Sequence, residues 1–254
     1  MSKHTVVAFG ESQDEAGVVT GVAGIVDQVV QVIGDVITVG ELNNLIGVYT
    51  FMGAGAGLQG APFLDAPSLR STALLDLSTI EPAVIGGAPP IFTPRFENPI
   101  KLVTGEGIRL WSTANPAAAE QHGAVLFLSD GALQPVTGQI FTVRGTATIT
   151  GVVGSWASGE FTLSQSLPVG NYSIVGARVI AANGVAFRFI PKGSGHRPGG
   201  IITQNNVTDD VLVQRLGKMG VWMDFHSQSQ PALEVYVTAA NAAQTIYLDL
   251  IRKG

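Results

Sequence analysis

The 254-residue sequence contains no cysteine and only four histidines, and these two shortages exclude several kinds of site. Without thiols the chain has no disulfide, no thiolate zinc or iron–sulfur site and no cysteine nucleophile. The histidines His4, His122, His196 and His226 form no H-x-H pair. Enzymes that hold iron or manganese on adjacent strands use clustered imidazoles with a carboxylate. We therefore expect no resident cofactor.

Charged residues are also scarce. They make up 13% of the chain, about half the usual share of a soluble domain. The formal net charge is −5, so no basic patch is indicated and we expect no sequence-specific binding of nucleic acid. A free monomer usually needs a denser charged coat. Two interpretations stay open: a Gly/Ala/Thr-rich β-protein with a weakly charged surface, or, as we favour, a chain whose surface largely meets other subunits.

Two pairs of segments resemble each other at a distance of about half the chain. "GVYTFMGAGAGLQGAPFLDAP" (47–67) and "GNYSIVGARVIAANGVAFRFIP" (170–191) both begin Gly-x-Tyr and end on a Pro four residues after a Phe. "GIRLWSTANPAAAEQHGAVLFLSDG" (107–131) resembles "ALEVYVTAANAAQTIYLDLIRKG" (232–254) at a similar shift. Two collinear matches indicate an internal duplication. They predict an N-terminal unit over 1–131 and a C-terminal unit over 132–254.

The local patterns of both units predict strands. "TVRGTATIT" (142–150) alternates small or apolar residues with Thr and Arg, the period of a half-buried strand. In "VAFRFIP" (185–191) Val185, Phe187 and Phe189 share one face, and Arg188 points to the other. The segment 18–39 has apolar residues at helical spacing, but they are mostly β-branched and glycines interrupt them. We therefore predict strands there, with a helix or mixed segment as the alternative.

Together these patterns predict an all-β chain of two tandem jelly-roll or β-sandwich units. In this architecture, in its repeat and in its composition, the whole chain resembles the double jelly-roll major capsid proteins of tailless icosahedral viruses and bacteriophages. The resemblance implies a homotrimer that forms a pseudo-hexameric capsomer and tiles an icosahedral shell. It also implies virion partners such as a vertex or penton protein, often an internal membrane, and a location in the virion after synthesis in the host cytoplasm.

Large aromatic side chains are candidate anchors in the core, between the units or between subunits, because Trp and Tyr contribute most to packing and to interfaces. The candidates are Trp111, Trp156, Trp222 and Tyr236. His196 and Arg197 lie in a predicted exposed turn, "GHRPGG", where we expect a contact between subunits.

Carboxylates with calcium-binding chemistry occur in "NNVTDD", where Asp209 and Asp210 follow two asparagines. A structural Ca²⁺ site is one interpretation of this segment, and a solvated loop is the other. "GAGLQG" (55–60) matches the dinucleotide fingerprint G-x-G-x-x-G, but Pro62 and Pro67 follow where a helix should begin. We interpret these glycines as a turn between strands.

No catalytic constellation emerges from the sequence, since "GSWASG" lacks the G-x-S-x-G spacing of a nucleophile elbow. We therefore expect a structural protein and not an enzyme. Two alternatives remain: a two-module β-sandwich that binds a ligand or carbohydrate, as in a phage fibre or adhesin, and a bicupin metal enzyme. A glycan screen would support the first, and bound iron or manganese the second.

Overall fold

The structure is a computed structural model that describes residues 3–13, 19–23, 30–33, 36–52, 62–70, 93–112, 121–152, 154–203, 212–237 and 240–253. Within these ranges the chain is almost entirely β, as the sequence predicts. None of the helices described there is long and apolar enough to cross a membrane.

The described elements are a series of short strands, one single-turn α-helix and one 3₁₀ helix. In chain order they are β1 (His4–Gln13), β2 (Val19–Ala23), β3 (Val30–Ile33), β4 (Val36–Val39), β5 (Asn44–Met52), β6 (Pro62–Asp65), α1 (Pro67–Arg70), β7 (Thr93–Pro94), β8 (Ile100–Lys101), β9 (Gly107–Ser112), β10 (Gln121–Ser129), β11 (Phe141–Ala147), β12 (Trp156–Gly159), β13 (Phe161–Leu163), β14 (Asn171–Ile180), β15 (Gly184–Ile190), β16 (Gly199–Thr203), the 3₁₀ helix (Leu212–Gln214), β17 (Met223–His226), β18 (Ala232–Val237) and β19 (Gln244–Arg252).

Strands β1 to β10 form two sheets. The larger has the order β2-β1-β10-β5-β7, with β8 also paired to β5, and the smaller has the order β3-β4-β9-β6. Every pairing in both sheets is antiparallel. We call these two sheets and their loops the N-terminal half.

Strands β11 to β19 form a single sheet with the order β12-β18-β15-β16-β14-β19-β11-β13, with β17 also paired to β14. The two end strands, β12 and β13, are consecutive in the chain and are separated only by Glu160. The sheet therefore curls round until its ends meet, in a nearly closed barrel. We call it, with its loops, the C-terminal half.

Five strand pairs of the N-terminal half have counterparts in the C-terminal half. In the N-terminal half the pairs are β1·β10, β10·β5, β5·β8, β4·β9 and β9·β6, and in the C-terminal half they are β11·β19, β19·β14, β14·β17, β12·β18 and β18·β15. The repeated sequences lie on matching members of this set: 47–67 covers most of β5 and all of β6, and 170–191 covers β14 and β15.

The match holds for the strands and not for each residue. Phe63 lies opposite Trp111, whereas its sequence counterpart Phe187 lies opposite Val235, one position away from Tyr236. The two halves therefore share an order of strands, while the register of β6·β9 differs by one residue from that of its counterpart β15·β18.

In the larger sheet of the N-terminal half, the described side chains of β1, β5 and β10 are buried on both faces. One face packs on the smaller sheet through residues such as Val7 and Leu126. The other face joins the core of the C-terminal half through Val6 and Phe127. A strand covered on both sides lacks polar alternation, which explains the apolar run "GAVLFL" in β10 and part of the low charge of the chain.

Most of the local predictions agree with the described residues. In β11, Val143, Gly145 and Ala147 are buried between exposed neighbours, as the alternation predicts. The described parts of 18–39 are the strands β2, β3 and β4, so the strand prediction is confirmed there. Pro62 opens the strand β6, and Pro67 opens the single turn of α1, a position that suits proline.

Candidate functional site

The junction between the two halves is the most elaborate polar site that the structure describes, and strand β1 forms it. Strand β2 pairs with β1 only from Phe9 onward, which leaves the first residues of that edge open to other partners. The C-terminal half supplies them: Val6 N–H donates to Arg197 O (3.1 Å), and Thr5 Oγ1 lies 3.2 Å from the Arg197 N–H that donates to it. Residues of the loop before β16 thus cap the edge of β1.

A carboxylate between two guanidinium groups lies at the centre of this junction. Arg188 on β15 is opposite Glu234 on β18, and its Nε donates to Glu234 Oε2 at 2.5 Å. Arg197 Nη1 lies 2.8 Å from both oxygens of the same carboxylate. Arg188 Nη1 also donates to Val6 O (3.1 Å), so a side chain of the C-terminal half is hydrogen-bonded to the backbone of β1.

Arg188 is fully buried, although the sequence pattern places it on the face away from Val185, Phe187 and Phe189. That face is covered because β1 packs against β15. Burying a guanidinium is unfavourable unless its charge is paired and its N–H groups are bonded. Glu234 pairs the charge and accepts from Nε, and Val6 O accepts from Nη1.

Aromatic rings complete the environment of this charge cluster. The Arg188 guanidinium carbon lies 4.1 Å from the centroid of the Trp156 ring, which is a cation–π contact. Trp156 in turn meets Tyr236 edge-on, with centroids 5.6 Å apart. Trp156, Trp222 and Tyr236 are 7%, 2% and 0% exposed, so these three interface candidates are core residues of one chain and present little ring area to another subunit.

A buried imidazole lies beside the same junction. His4 is 1% exposed; its Nε2 is 3.4 Å from Gly199 O and 3.3 Å from Gly199 N, and its ring meets Trp222 edge-on at 5.3 Å. Burial lowers the pKa of His4 from 6.5 to about 4, with a further lowering from the nearby His196. His4 is therefore neutral at pH 7.

His196 and Arg197 are partly exposed, as the predicted turn requires. His196 Nδ1 is hydrogen-bonded to the hydroxyl of Ser194. Its loop lines a cleft of about 380 Å³ between the halves, together with Lys3, Glu41 and other residues. The structure thus places both predicted residues at the junction of the halves, and their contact with another subunit stays a prediction.

A second polar cluster fixes the loop that follows the 3₁₀ helix. The buried Asp249 on β19 accepts hydrogen bonds from Arg215 Nε (2.6 Å), Thr142 Oγ1 (2.7 Å) and Leu216 N–H (2.9 Å). Burial alone raises the pKa of this carboxyl, but the hydrogen bonds and the charge of Arg215 outweigh burial and hold the pKa below 3.8. Asp249 is therefore an anion that anchors residues 215–216.

Several predicted site residues lie outside the part of the chain that the structure describes. They are Asp209, Asp210 and the glycine segment 55–60; Trp111 lies on β9, but its side chain is also outside the described part. Within the described ranges, no three His, Cys, Asp or Glu side chains come together to hold a metal ion. The calcium site stays an untested prediction.

The sequence contains one local signal of the junction. Arg188 and Glu234 each stand between apolar residues, in "AFRFI" and "ALEVY", and β15 and β18 are neighbouring strands. Opposite charges at facing positions, each inside an apolar strand, are typical of a buried cross-strand ion pair. Through its bond to Val6 O, Arg188 connects this ion pair to β1 of the N-terminal half.

No protein-family model matches the chain, and the curated proteins that were searched contain no significant match to it.

Proposed function

We propose that this chain is a structural subunit of a virion, a major capsid protein of the double jelly-roll type. In this proposal three chains form a pseudo-hexameric capsomer, and capsomers assemble into an icosahedral shell. The observation that carries the proposal is the shared pairing order of the two halves.

That order is the one a jelly roll requires. If eight strands fold as one long hairpin that then rolls up, the first pairs with the last, the second with the seventh, the third with the sixth and the fourth with the fifth. The C-terminal half has nine strands, and with the three-residue β13 left out the other eight have all four pairs, as β11·β19, β12·β18, β14·β17 and β15·β16. The N-terminal half has three of them in its described residues, as β1·β10, β4·β9 and β5·β8.

The junction supports the same proposal. A capsomer with six similar positions needs the two units of each chain to keep a fixed mutual orientation, because each chain supplies two positions. An apolar core shared by both halves and a buried ion network between them favour such a fixed orientation. A flexible two-module binding protein would be expected to join its modules by an exposed linker with few crossing contacts.

The surface of the described residues limits how the chains would meet. Only four large apolar side chains are strongly exposed there, and these are Val103, Val152, Val169 and Leu216. In this proposal, small and polar side chains therefore make most of the contacts between chains that involve the described residues. Contacts of this kind are individually weak, which lets subunits correct errors as a closed shell forms.

Light scattering on the purified protein tests the proposal. We expect a species of three times 26.4 kDa, or closed shells of much larger mass. A monomer at every concentration, with sharp hits on a glycan array, would instead favour the ligand-binding alternative. Bound iron or manganese by elemental analysis would favour the bicupin alternative.

A further inference from the structure

Basic groups outnumber acidic ones at the junction of the halves. Around the single carboxylate of Glu234 lie Arg188 on β15 and Arg197 in the loop before β16. His4 on β1 and His196 in that same loop lie close enough to each other for their charges to interact. When both imidazoles are neutral, the charges of Arg188, Arg197 and Glu234 sum to +1. A proton added to either imidazole would raise this local positive charge.

The hydrogen bonds of His4 do not suit an imidazolium. Nδ1 is buried without a hydrogen-bond partner among the described residues, and Nε2 faces only the N–H and C=O of Gly199. A neutral ring uses one of these Gly199 groups, whichever tautomer it adopts. A protonated ring has two N–H donors and would find one acceptor, Gly199 O, so one donor would be buried and unsatisfied.

Among the described residues, no acidic group raises the pKa of His4 to compensate for this. The Glu234 carboxylate is shared by two arginines. Glu41 lies in the cleft between the halves with Lys3 and His196, and Asp130 accepts a hydrogen bond from the backbone of Lys3. Trp222, the ring that packs on His4, carries no charge.

We infer that the junction between the two halves is an acid-sensitive latch, in which protonation of His4 releases the first residues of β1 from Arg197 and Gly199. The closed latch holds His4 neutral and buried. Opening exposes the imidazole to water, where it can take up a proton. Acid therefore favours the open latch, and neutral pH closes it.

The size of the effect follows from linkage. The pKa of His4 is about 4 in the closed latch and 6.5 for an exposed imidazole. Because opening binds a proton between these two values, the ratio of open to closed latch rises as pH falls from 6.5 to 4. Between pH 7.5 and pH 5.0 the ratio rises by about 30-fold for this one group.

Native-state amide hydrogen exchange measures this ratio directly. The reporters are the junction amides of Val6 and Gly199, which donate to Arg197 O and to His4. The reference is a set of amides in β19, at the centre of the C-terminal sheet. The measured protection is corrected for the intrinsic pH dependence of exchange. We then expect the protection of the junction amides to be about 30-fold lower at pH 5.0 than at pH 7.5, with a smaller change in β19.

Two variants make the test specific. His4→Gln cannot take up the proton, so the pH dependence at Val6 should disappear. His226→Gln changes a partly exposed histidine on β17 and should retain it. Retention of the full 30-fold change in His4→Gln would overturn the inference. So would equal changes at Val6 and in β19 of the unsubstituted chain, a comparison that holds even if His4→Gln fails to fold. Neither result depends on whether the chain forms capsids.

Discussion

At the scale of single residues, Arg188 and Glu234 form the central ion pair of the junction. Both charges are buried, which distinguishes them from the exposed pair of Lys253 and Asp224. A buried ion pair adds little stability compared with a well-packed apolar pair, but loss of one partner leaves the other charge unpaired. The pair therefore favours one arrangement of the halves over others.

We predict that Glu234→Gln lowers the free energy of unfolding by roughly 3 kcal/mol, because it leaves two arginines without their carboxylate. Urea unfolding at pH 7 measures the loss. Asp224→Asn is the matched control, since it neutralises an acid in an exposed ion pair, where the loss should be under about 1 kcal/mol. Equal losses of unfolding free energy in the two variants would show that the buried network stabilises the fold no more than an exposed ion pair does.

At the scale of elements, the loop at 215–221 holds the linker between the halves. Asp249 anchors Arg215 and Leu216, and the next residue, Gly217, bonds by its backbone to Val136 in the linker (2.9 Å). Gly217 has φ +78°, and a Cβ at this position would overlap the carbonyl oxygen of Val136. The close approach of the two backbones therefore requires glycine.

Gly217→Ala should destabilise the chain more than Gly193→Ala, although both glycines have φ +78°. The Gly193 substitution introduces only the strain of a left-handed residue, about 1 kcal/mol, since no atom lies within 4 Å of the added Cβ. The Gly217 substitution adds a clash with the linker and should at least double that loss. Thermal unfolding of the two variants compares them, and the same loss in both would contradict the backbone contact.

Protonation of Asp249 at low pH should remove its anchoring of Arg215 and Leu216. Its pKa in the folded chain is below 3.8, so its contribution to stability is complete above that value and is lost as pH falls through the folded pKa. Asp249→Asn should therefore be less stable by roughly 3 kcal/mol at pH 7, and the difference should shrink below pH 3.8. The control Asp130→Asn, at an exposed acid, should track the unsubstituted chain at every pH. A constant difference down to pH 2 would count against this assignment.

The strands were predictable from the sequence because alternation is a local property. In β11 the alternation fixes which residues face the core, and the repeat identifies β5 and β6 as counterparts of β14 and β15. The burial of Arg188 was not predictable in this way. It depends on β1, which is more than 180 residues away in sequence and covers the second face of β15. His4 is a similar case, since its partners Gly199 and Trp222 belong to the other half.

At the scale of the whole molecule, three sheets are stacked, and the described side chains of β1, β5 and β10 in the middle sheet pack on both neighbours. The predicted boundary at residue 131 lies between β10 and β11, and no described sheet contains strands from both sides of it. Nevertheless the two halves share one apolar core and the ion network of Glu234. This combination gives each chain two similar shapes in one fixed arrangement, which is the property that the proposed capsomer requires.

Single-particle cryo-electron microscopy of the purified oligomer tests the central claim most directly. The account predicts a three-fold symmetric particle whose three chains present six similar β-units, free or as tiles of a closed shell. A map that shows isolated single chains, or an oligomer in which the two units of a chain take no equivalent positions, would contradict it.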